Sequence, residues 1–170
     1  MRRLLKFGLL LLTIGVIGGA VFKMQQTLSA KNEQAHKLRQ RPNLSGVRFT
    51  PNRKNLPVMI NGKPTLIILF NSECEHCQYE AEQLQKRHYE FVETNIYMLT
   101  TETPARAYRF ARHYGLDSLA MVHVGTLTQE EAYKAFGPST VPHVFIYNSD
   151  GQLRKEFKGE TKIDALLSQL

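Results

Sequence analysis

The chain contains two cysteines, and they stand three positions apart in the segment Cys74-Glu75-His76-Cys77. Two thiols at this spacing at the start of a helix can reach one another once the first turn has formed. The first thiol then lies near free backbone N–H groups at the positive end of the helix, which stabilises the thiolate that attacks disulfides. The pattern indicates thiol–disulfide exchange, with Cys74 as the nucleophile and Cys77 as the residue that resolves the mixed disulfide.

The two residues between the cysteines bear on the redox potential of the pair. A protonated His76 would stabilise the Cys74 thiolate and favour the reduced form, which makes the pair more oxidising, whereas Glu75 would oppose this effect. The sequence leaves the net direction open. A structural zinc site would normally need four Cys or His ligands, often as two paired motifs, and the sequence has no second cysteine pair.

A buried strand is predicted directly before the cysteines. Thr65–Phe70 is a continuous apolar run, as in the centre of an α/β sheet, and Ser72 with Glu75 three residues later predicts a capped helix towards Tyr89. Further strands are predicted at Asn95–Thr100, Leu119–Val124, His143–Tyr147 and Leu153–Phe157. Further helices are predicted at Ala105–Tyr114 with Thr103 as its cap, from Thr128 to Phe136 with Thr128 and Glu131 as a capping box, and after Thr161 as a cap. Alternating strands and helices that end in a hairpin and a helix indicate an α/β domain.

The net charge of +7 belongs to the N-terminal part of the chain. Of the 22 Lys and Arg residues, eight lie within residues 1–43 together with a single acid, Glu33, so residues 44–170 hold 14 basic and 14 acidic side chains. A domain without net charge has little of the electrostatic footprint of a nucleic-acid binder, and we expect no nucleic-acid partner.

Residues 1–24 begin with three basic side chains, followed by an uncharged apolar stretch from Phe7 to Phe22. This basic-then-apolar order directs the downstream chain across a membrane. We expect a single-pass N-terminal anchor, with a soluble periplasmic protein after signal cleavage as the alternative. Residues 25–43 are interpreted as a polar linker, and residues 44–170 as a globular domain on the extracytoplasmic side of the inner or cell membrane.

Three segments resemble those of a known family. Phe70–Cys77 (FNSECEHC), after a buried strand, resembles the active-site segment of thioredoxin-like proteins, and Thr140-Val141-Pro142 is similar to their cis-proline loop. Gly62-Lys63-Pro64 and the N-terminal segment bring the resemblance closest to the membrane-tethered TlpA/ResA-type branch. It covers about residues 44–170. It implies a thioredoxin-like fold, a central mixed sheet flanked by helices, with a strand–helix insertion within Asn95–Val124 before the cis-Pro strand.

The resemblance also implies roles for individual residues. Pro142 is expected to be cis and to pack over the cysteines, so that Val141 presents its backbone to a bound substrate chain. Glu80 matches the glutamate of the family's C-x-x-C-x-x-E pattern and could relay protons to the cysteines, although its spacing alone is typical of a solvated helix residue. Glu73 stands in place of the family's tryptophan, and Ile68 in place of a buried aspartate, which argues against a general thioredoxin.

Two other functions occur on the same fold. A copper-binding or copper-delivery protein would use Cys74 and Cys77 as soft ligands, with His143 as the third. A peroxiredoxin would need a threonine three residues before its peroxidatic cysteine, and this chain has Asn71 there.

The main expectation is an enzyme, an extracytoplasmic thiol–disulfide oxidoreductase. Its expected partners are disulfide- or thiol-bearing exported proteins. The resemblance and the tether favour a reductant that is resupplied by a membrane-associated thiol electron donor. No cofactor is expected.

Overall fold

The computed structural model describes residues 2–40, 42–50 and 62–170. Within these ranges, the helices are α1 (Arg2–Leu38), α2 (Glu75–Lys86), α3 (Pro104–His113), α4 (Gln129–Phe136) and α5 (Ile163–Leu167). The strands are β1 (Arg48–Thr50), β2 (Thr65–Leu69), β3 (Asn95–Thr100), β4 (Val122–Thr126), β5 (His143–Tyr147) and β6 (Leu153–Lys158). Short 3₁₀ turns follow α2 at His88–Phe91 and α3 at Leu116–Ser118.

The chain divides into two compact units, one that ends at Lys37 and one that begins at Leu38. Helix α1 makes up the first unit, and its apolar side chains Val16, Ile17 and Phe22 are exposed. The anchor expected over residues 1–24 is not supported: over the described part of the chain, no helix combines the length and apolar character that a membrane crossing needs. The side chains of residues 1–14 lie outside the description.

The strands form one mixed sheet in the order β1-β4-β3-β2-β5-β6. Strands β2, β3 and β4 run parallel, β5 is antiparallel to β2 and β6, and β1 is antiparallel to β4. Strands β2 and β3 are buried at every position, as expected where both faces of a sheet are covered. This explains why their sequences are nearly continuous apolar runs, and it confirms the predicted α/β class with a central mixed sheet.

Alternate side chains of β2 enter two separate apolar clusters, one on each face of the sheet. On the first face, Leu66 and Ile68 pack in a cluster with Cys77 and with apolar residues of α2, α3 and α5. On the second face, Ile67 and Leu69 pack in a cluster with apolar residues of β5 and with α4. Each fully buried aliphatic side chain contributes about 1.5–3 kcal/mol. The first cluster therefore holds α2, and Cys77 with it, firmly against the sheet.

Two predicted helix caps are wrong. Cys74, and not Ser72, occupies the N-cap position of α2, with φ −83° and ψ 115°. Lys162, and not Thr161, occupies the N-cap position of α5, because the Thr161 hydroxyl donates to the Gly159 carbonyl at 3.1 Å instead. In both cases the expected capping side chain is engaged elsewhere.

The caps predicted for α3 and α4 are confirmed. The Thr103 hydroxyl accepts from the Arg106 N–H at 3.4 Å. The Thr128 hydroxyl accepts from the Glu131 N–H at 3.1 Å, and Glu131 accepts from the Thr128 N–H at 2.7 Å, which is the reciprocal pair of a capping box.

Two strand predictions differ from the structure. The strand expected at Leu119–Val124 lies further along the chain as β4, because Leu119 ends a 3₁₀ turn and its carbonyl accepts a turn hydrogen bond from the Val122 N–H at 3.1 Å. Strand β1 was not predicted. It has three residues and pairs with the outer side of β4, and so short a strand leaves little alternation in the sequence.

Candidate active site

Helix α2 carries both cysteines at its N-terminus. Cys74 is half-buried at the N-cap, and Cys77 lies in the first turn with 1% of its surface exposed. The helix starts here because the Cys74 carbonyl accepts the first helical hydrogen bond, from the Gln78 N–H at 3.0 Å. The structure therefore presents one thiol to the surface and keeps the other beneath it.

The environment of Cys77 favours its protonated form. Burial raises the pKa of the Cys77 thiol well above its usual range, and a backbone hydrogen bond from Asn71 lowers it in part. A side-chain hydrogen bond with Cys74 and the negative charge of Glu80 raise it further. Cys77 can therefore attack only after another group has taken its proton.

The loop before β5 lies against the exposed thiol. The Val141–Pro142 peptide bond is cis, as the resemblance implied. The Cys74 Sγ lies 3.9 Å from the Val141 carbonyl oxygen, and 39% of Val141 is exposed. Pro142 is buried, and its carbonyl accepts from the Gly159 N–H at 2.8 Å. The structure thus brings the Val141 backbone and Cys74 together at one surface.

Glu80 lies on α2, one turn after Cys77, and only 4% of it is exposed. Its Oε1 accepts from the Thr161 backbone N–H at 2.7 Å, while its buried Oε2 has no hydrogen-bond partner among the described residues. Burial raises the pKa of Glu80 to about 7, against the hydrogen bond from Thr161, which lowers it. Glu80 is therefore not the solvated helix residue that its spacing suggested. A carboxyl group that titrates near neutral pH is suited to proton transfer.

His76 points outward from the same helix. Its side chain is 67% exposed, and its Nδ1 lies 2.5 Å from the Glu160 Oε2. The charge of His76 acts on Glu80, whose pKa it lowers. The structure thus pairs His76 with an acid that the sequence did not single out.

Sequence reasoning also missed Glu102, which holds the loop before Cys74. The Ser72 N–H donates to Glu102 Oε2 at 2.7 Å and the Ser72 hydroxyl donates to Oε1 at 2.8 Å. Arg106 forms ion pairs with Glu102 and with Glu73. Glu73, which departs from the family's tryptophan, thus ties the active-site loop to helix α3. No local sequence signal could have indicated the contacts of Ser72 with Glu102 and of Glu73 with Arg106, since each joins residues 30 or more positions apart.

An open groove of about 810 Å³ borders this loop. Ser72 and Glu73 line it on one side, and Arg106, Tyr108 and Arg109 line it along α3. The groove leaves the loop that carries Cys74 accessible from the α3 side.

His143 lies on the other face of the sheet from Cys77. It pairs in register with Leu69, a member of the second cluster, and its ring stacks against Phe145 at 4.2 Å between centroids. It is 1% exposed, and its Nε2 lies 2.7 Å from Glu156 Oε1. The structure therefore does not assemble the copper ligand set of Cys74, Cys77 and His143. No group of three or more potential metal-ligating side chains occurs within the described ranges.

The chain is similar to known proteins in sequence and in fold. The sequence profile of the AhpC/TSA family matches residues 40–156. No curated protein matches the sequence. Among solved structures, the chain is similar to a thioredoxin-like protein in its oxidised form, with a TM-score of 0.62 and 20% identity over 78% of this chain and 93% of that one.

Two further solved structures share the fold. A secreted Mycobacterium tuberculosis disulfide oxidoreductase, described as homologous to E. coli DsbE, matches with a TM-score of 0.55 and 16% identity over 64% of this chain and 81% of that one. StoA from Bacillus subtilis matches with a TM-score of 0.54 and 16% identity over 75% of this chain and 98% of that one. At these identities the likeness concerns the fold, and it confirms the predicted thioredoxin-like architecture.

Proposed function

Because the chain belongs to the AhpC/TSA family and carries the paired-cysteine site of a thiol–disulfide oxidoreductase, we propose that it reduces disulfides in exported proteins outside the cytoplasm. The family and the fold support the enzyme class. The extracytoplasmic location, the substrates and the direction of electron flow are the proposed part.

One observation carries the proposal, the unequal burial of the two thiols beside the Val141–Pro142 loop. Cys74 is half-buried and within 3.9 Å of the Val141 carbonyl, whereas Cys77 is 1% exposed. A partner's disulfide can therefore meet Cys74 but not Cys77. An extended partner chain can also pair with the exposed Val141 backbone while its sulfur lies at Cys74.

The reaction proceeds through two exchanges. First, the Cys74 thiolate attacks one sulfur of the partner's disulfide, a Cys74–partner disulfide forms, and the partner's other sulfur leaves as a thiolate. Second, Cys77 loses its proton and attacks the Cys74 sulfur, so that a Cys74–Cys77 disulfide forms and the remaining partner sulfur leaves. The partner has gained two electrons, and a membrane-associated thiol donor then returns the oxidised protein to its dithiol form.

Glu80 takes the proton that Cys77 must lose. It lies one helical turn from Cys77, and the two groups interact electrostatically. A pKa of about 7 leaves Glu80 partly ionised at neutral pH, so it can accept the proton and release it again. Its buried Oε2 has no other hydrogen-bond partner among the described residues, which leaves this oxygen available for the transfer.

Within the family, we assign the chain to the TlpA/ResA-type branch. The Gly62-Lys63-Pro64 turn, the C-x-x-C-x-x-E spacing and the buried Glu80 support this assignment. The basic and apolar order of residues 1–24 supports export of the domain. Fractionation of cells that express the full chain distinguishes a retained anchor, found in the membrane pellet, from a cleaved signal, found in the soluble extracytoplasmic fraction.

A peroxidase is less compatible with the site. Asn71 stands three residues before Cys74, and both its side chain and its carbonyl form hydrogen bonds within the loop. Its side-chain oxygen accepts from the Glu73 N–H at 2.8 Å, and its carbonyl accepts from the Cys74 N–H at 3.2 Å. Asn71 therefore stabilises the turn that leads into α2 and offers no hydroxyl to orient a peroxide.

The proposal is tested by titrating the Cys74–Cys77 couple of the full-length chain against glutathione buffers. We expect a single two-electron couple that is much more reducing than the strong periplasmic oxidants at about −120 mV. A potential near that value would contradict the reductant proposal. Failure of the two cysteines to form a disulfide would overturn the oxidoreductase proposal altogether. The Cys77→Ser variant is the control, since it keeps Cys74 and the fold but cannot form the couple.

A further inference from the structure

Three consecutive residues between β6 and α5, Gly159 to Thr161, contact the active site, and we call them the 159–161 segment. At its start, the Gly159 N–H donates to the Pro142 carbonyl at 2.8 Å. At its end, the Thr161 N–H donates to Glu80 Oε1 at 2.7 Å. The segment therefore joins the cis-proline loop to helix α2, and these two elements carry the substrate-facing backbone and the cysteines.

The middle residue of the segment makes the third contact. Glu160 Oε2 lies 2.5 Å from His76 Nδ1, between the first turn of α2 and the loop. His76 and Glu80 are four positions apart on α2, so they lie on the same side of the helix. The side chain of Glu160 and the backbone N–H of Thr161 thus contact α2 on the same side, at two successive turns of the helix.

We infer that Glu160 is a positioning residue for the redox reaction, because its bond to His76 holds the 159–161 segment against α2. The Thr161 N–H is thereby kept on the Glu80 carboxylate. This inference rests on the proposed function, in which Glu80 takes the proton of Cys77. The His76–Glu160 pair is partly exposed, so a substitution can remove this contact without creating a cavity in the apolar core.

Neighbouring groups shift the pKa of Glu80 in opposite directions, and the relative sizes of these shifts make the inference testable. After burial, the hydrogen bond from Thr161 has the largest effect on the pKa of Glu80 and lowers it, while the negative charge of Glu160 has a smaller effect and raises it. His76, also on α2, lowers that pKa. Helix α5 carries Asp164, which is paired with Arg87, and has Lys162 at its N-cap. If loss of the Glu160 side chain releases the Thr161 hydrogen bond, the pKa of Glu80 rises. If only the negative charge of Glu160 is lost, the pKa of Glu80 falls.

The experiment compares Glu160→Ala with Glu160→Gln in the full-length, reduced chain. The Gln side chain keeps an acceptor for His76 but has no charge, whereas Ala removes both. The pH titration of the Glu80 carboxyl carbon is followed by NMR with ¹³C-labelled glutamate. The Cys77 thiol stays protonated over this range, because its pKa is raised, so the Glu80 signal reports on Glu80 itself.

For Glu160→Ala we expect the midpoint of the Glu80 titration to rise by about one pH unit, because the Thr161 hydrogen bond is lost. For Glu160→Gln we expect no rise.

The control is Asp164→Asn, which removes an acid that contacts Arg87 and not His76. The midpoint of the Glu80 titration in this variant should stay at the wild-type value. A lowered or unchanged midpoint in Glu160→Ala would overturn the inference, because Glu160 would then act through its charge alone or not at all. The NMR titration needs no substrate, so its result is independent of the glutathione titration that tests the proposed function.

Discussion

The Glu102 carboxylate binds both the backbone N–H and the hydroxyl of Ser72, at 2.7 and 2.8 Å. Ser72 stands two residues before Cys74, and Glu102 lies in the turn between β3 and α3. The side chain of Glu102 is 8% exposed, and Thr100 donates a further hydrogen bond to it at 3.2 Å. The position of the exposed cysteine thus depends on an acid of the inserted strand–helix passage.

Substitution of Glu102 by Ala should slow disulfide reduction several-fold and destabilise the domain by about 1–3 kcal/mol, since two donors of Ser72 lose a partly buried acceptor. Glu102→Gln should recover part of both losses, because its amide oxygen can still accept one bond. Stopped-flow reduction of a model disulfide and urea unfolding provide the two measurements. Glu93→Ala, which removes an acid that is 82% exposed, is the control and should change neither value.

The buried Glu80 should make the stability of the reduced chain depend on pH. The pKa of Glu80 is raised from 4.5 to about 7 in the folded protein, so folding favours its neutral form. The contribution of Glu80 to the free energy of unfolding is fully present below about pH 4.5 and is lost as the pH rises through about 7. The loss amounts to roughly 3 kcal/mol at most. Urea unfolding between pH 4 and pH 8, compared with Glu80→Gln, measures this loss. Glu82→Gln, on the same helix but half exposed, should retain the wild-type slope, and equal slopes in wild type and Glu80→Gln would refute the prediction.

The unequal burial of the thiols predicts which variant traps a partner. In Cys77→Ser, the mixed disulfide on Cys74 cannot be resolved, so partner proteins should accumulate as covalent adducts that dithiothreitol releases. In Cys74→Ser, the remaining thiol is 1% exposed and adducts should be absent. Turnover should fall more than about a hundredfold in both variants. Non-reducing gels of extracts from cells that express each variant check this, and equal trapping by the two variants would show that the burial order does not govern attack.

The position of His143 leads to a prediction about copper. Because His143 faces the second cluster and bonds to Glu156, substitution by Gln should leave any Cu(I) affinity of the cysteine pair unchanged within about twofold. The same substitution should lower the free energy of unfolding by about 1–2 kcal/mol, since a buried hydrogen bond is altered. A competition titration with a Cu(I) chelator measures the first effect. A tenfold weaker affinity in His143→Gln would restore the copper-binding alternative.

The parts of the fold that the sequence predicted correctly depend on local signals. Strand β2 was predictable from its continuous apolar run. The run reflects the burial of all five of its residues. The cap of α4 was predicted because Thr128 and Glu131 satisfy each other over three positions. Ser72 carries the same local pattern with Glu75, yet Glu102, 30 positions away, takes its hydroxyl. A distant partner thus overrode a capping signal that sequence reasoning could weigh only locally.

The candidate site was predictable only in part, for the same reason. The cysteines and the Val141–Pro142 loop follow from short motifs. The burial of Glu80 and its bond to Thr161 do not, because 81 positions separate the two residues. The face on which His143 lies depends on the register of β5 against β2, and no single strand reveals that register. Sequence reasoning could therefore name the reacting groups but not the residues that hold them.

The contacts of the 159–161 segment also bear on the order in which the protein becomes active during synthesis. A growing chain contains both cysteines long before it contains Thr161, since 84 positions separate His76 from Glu160. Such a chain has reactive thiols but lacks the hydrogen bond on Glu80 and the support beneath the cis-proline loop. Contacts between residues this distant in sequence carry a higher loop-closure entropy cost than local contacts do. If Glu80 takes the proton of Cys77 as proposed, the second exchange step becomes efficient only after β6 and α5 have docked on the domain.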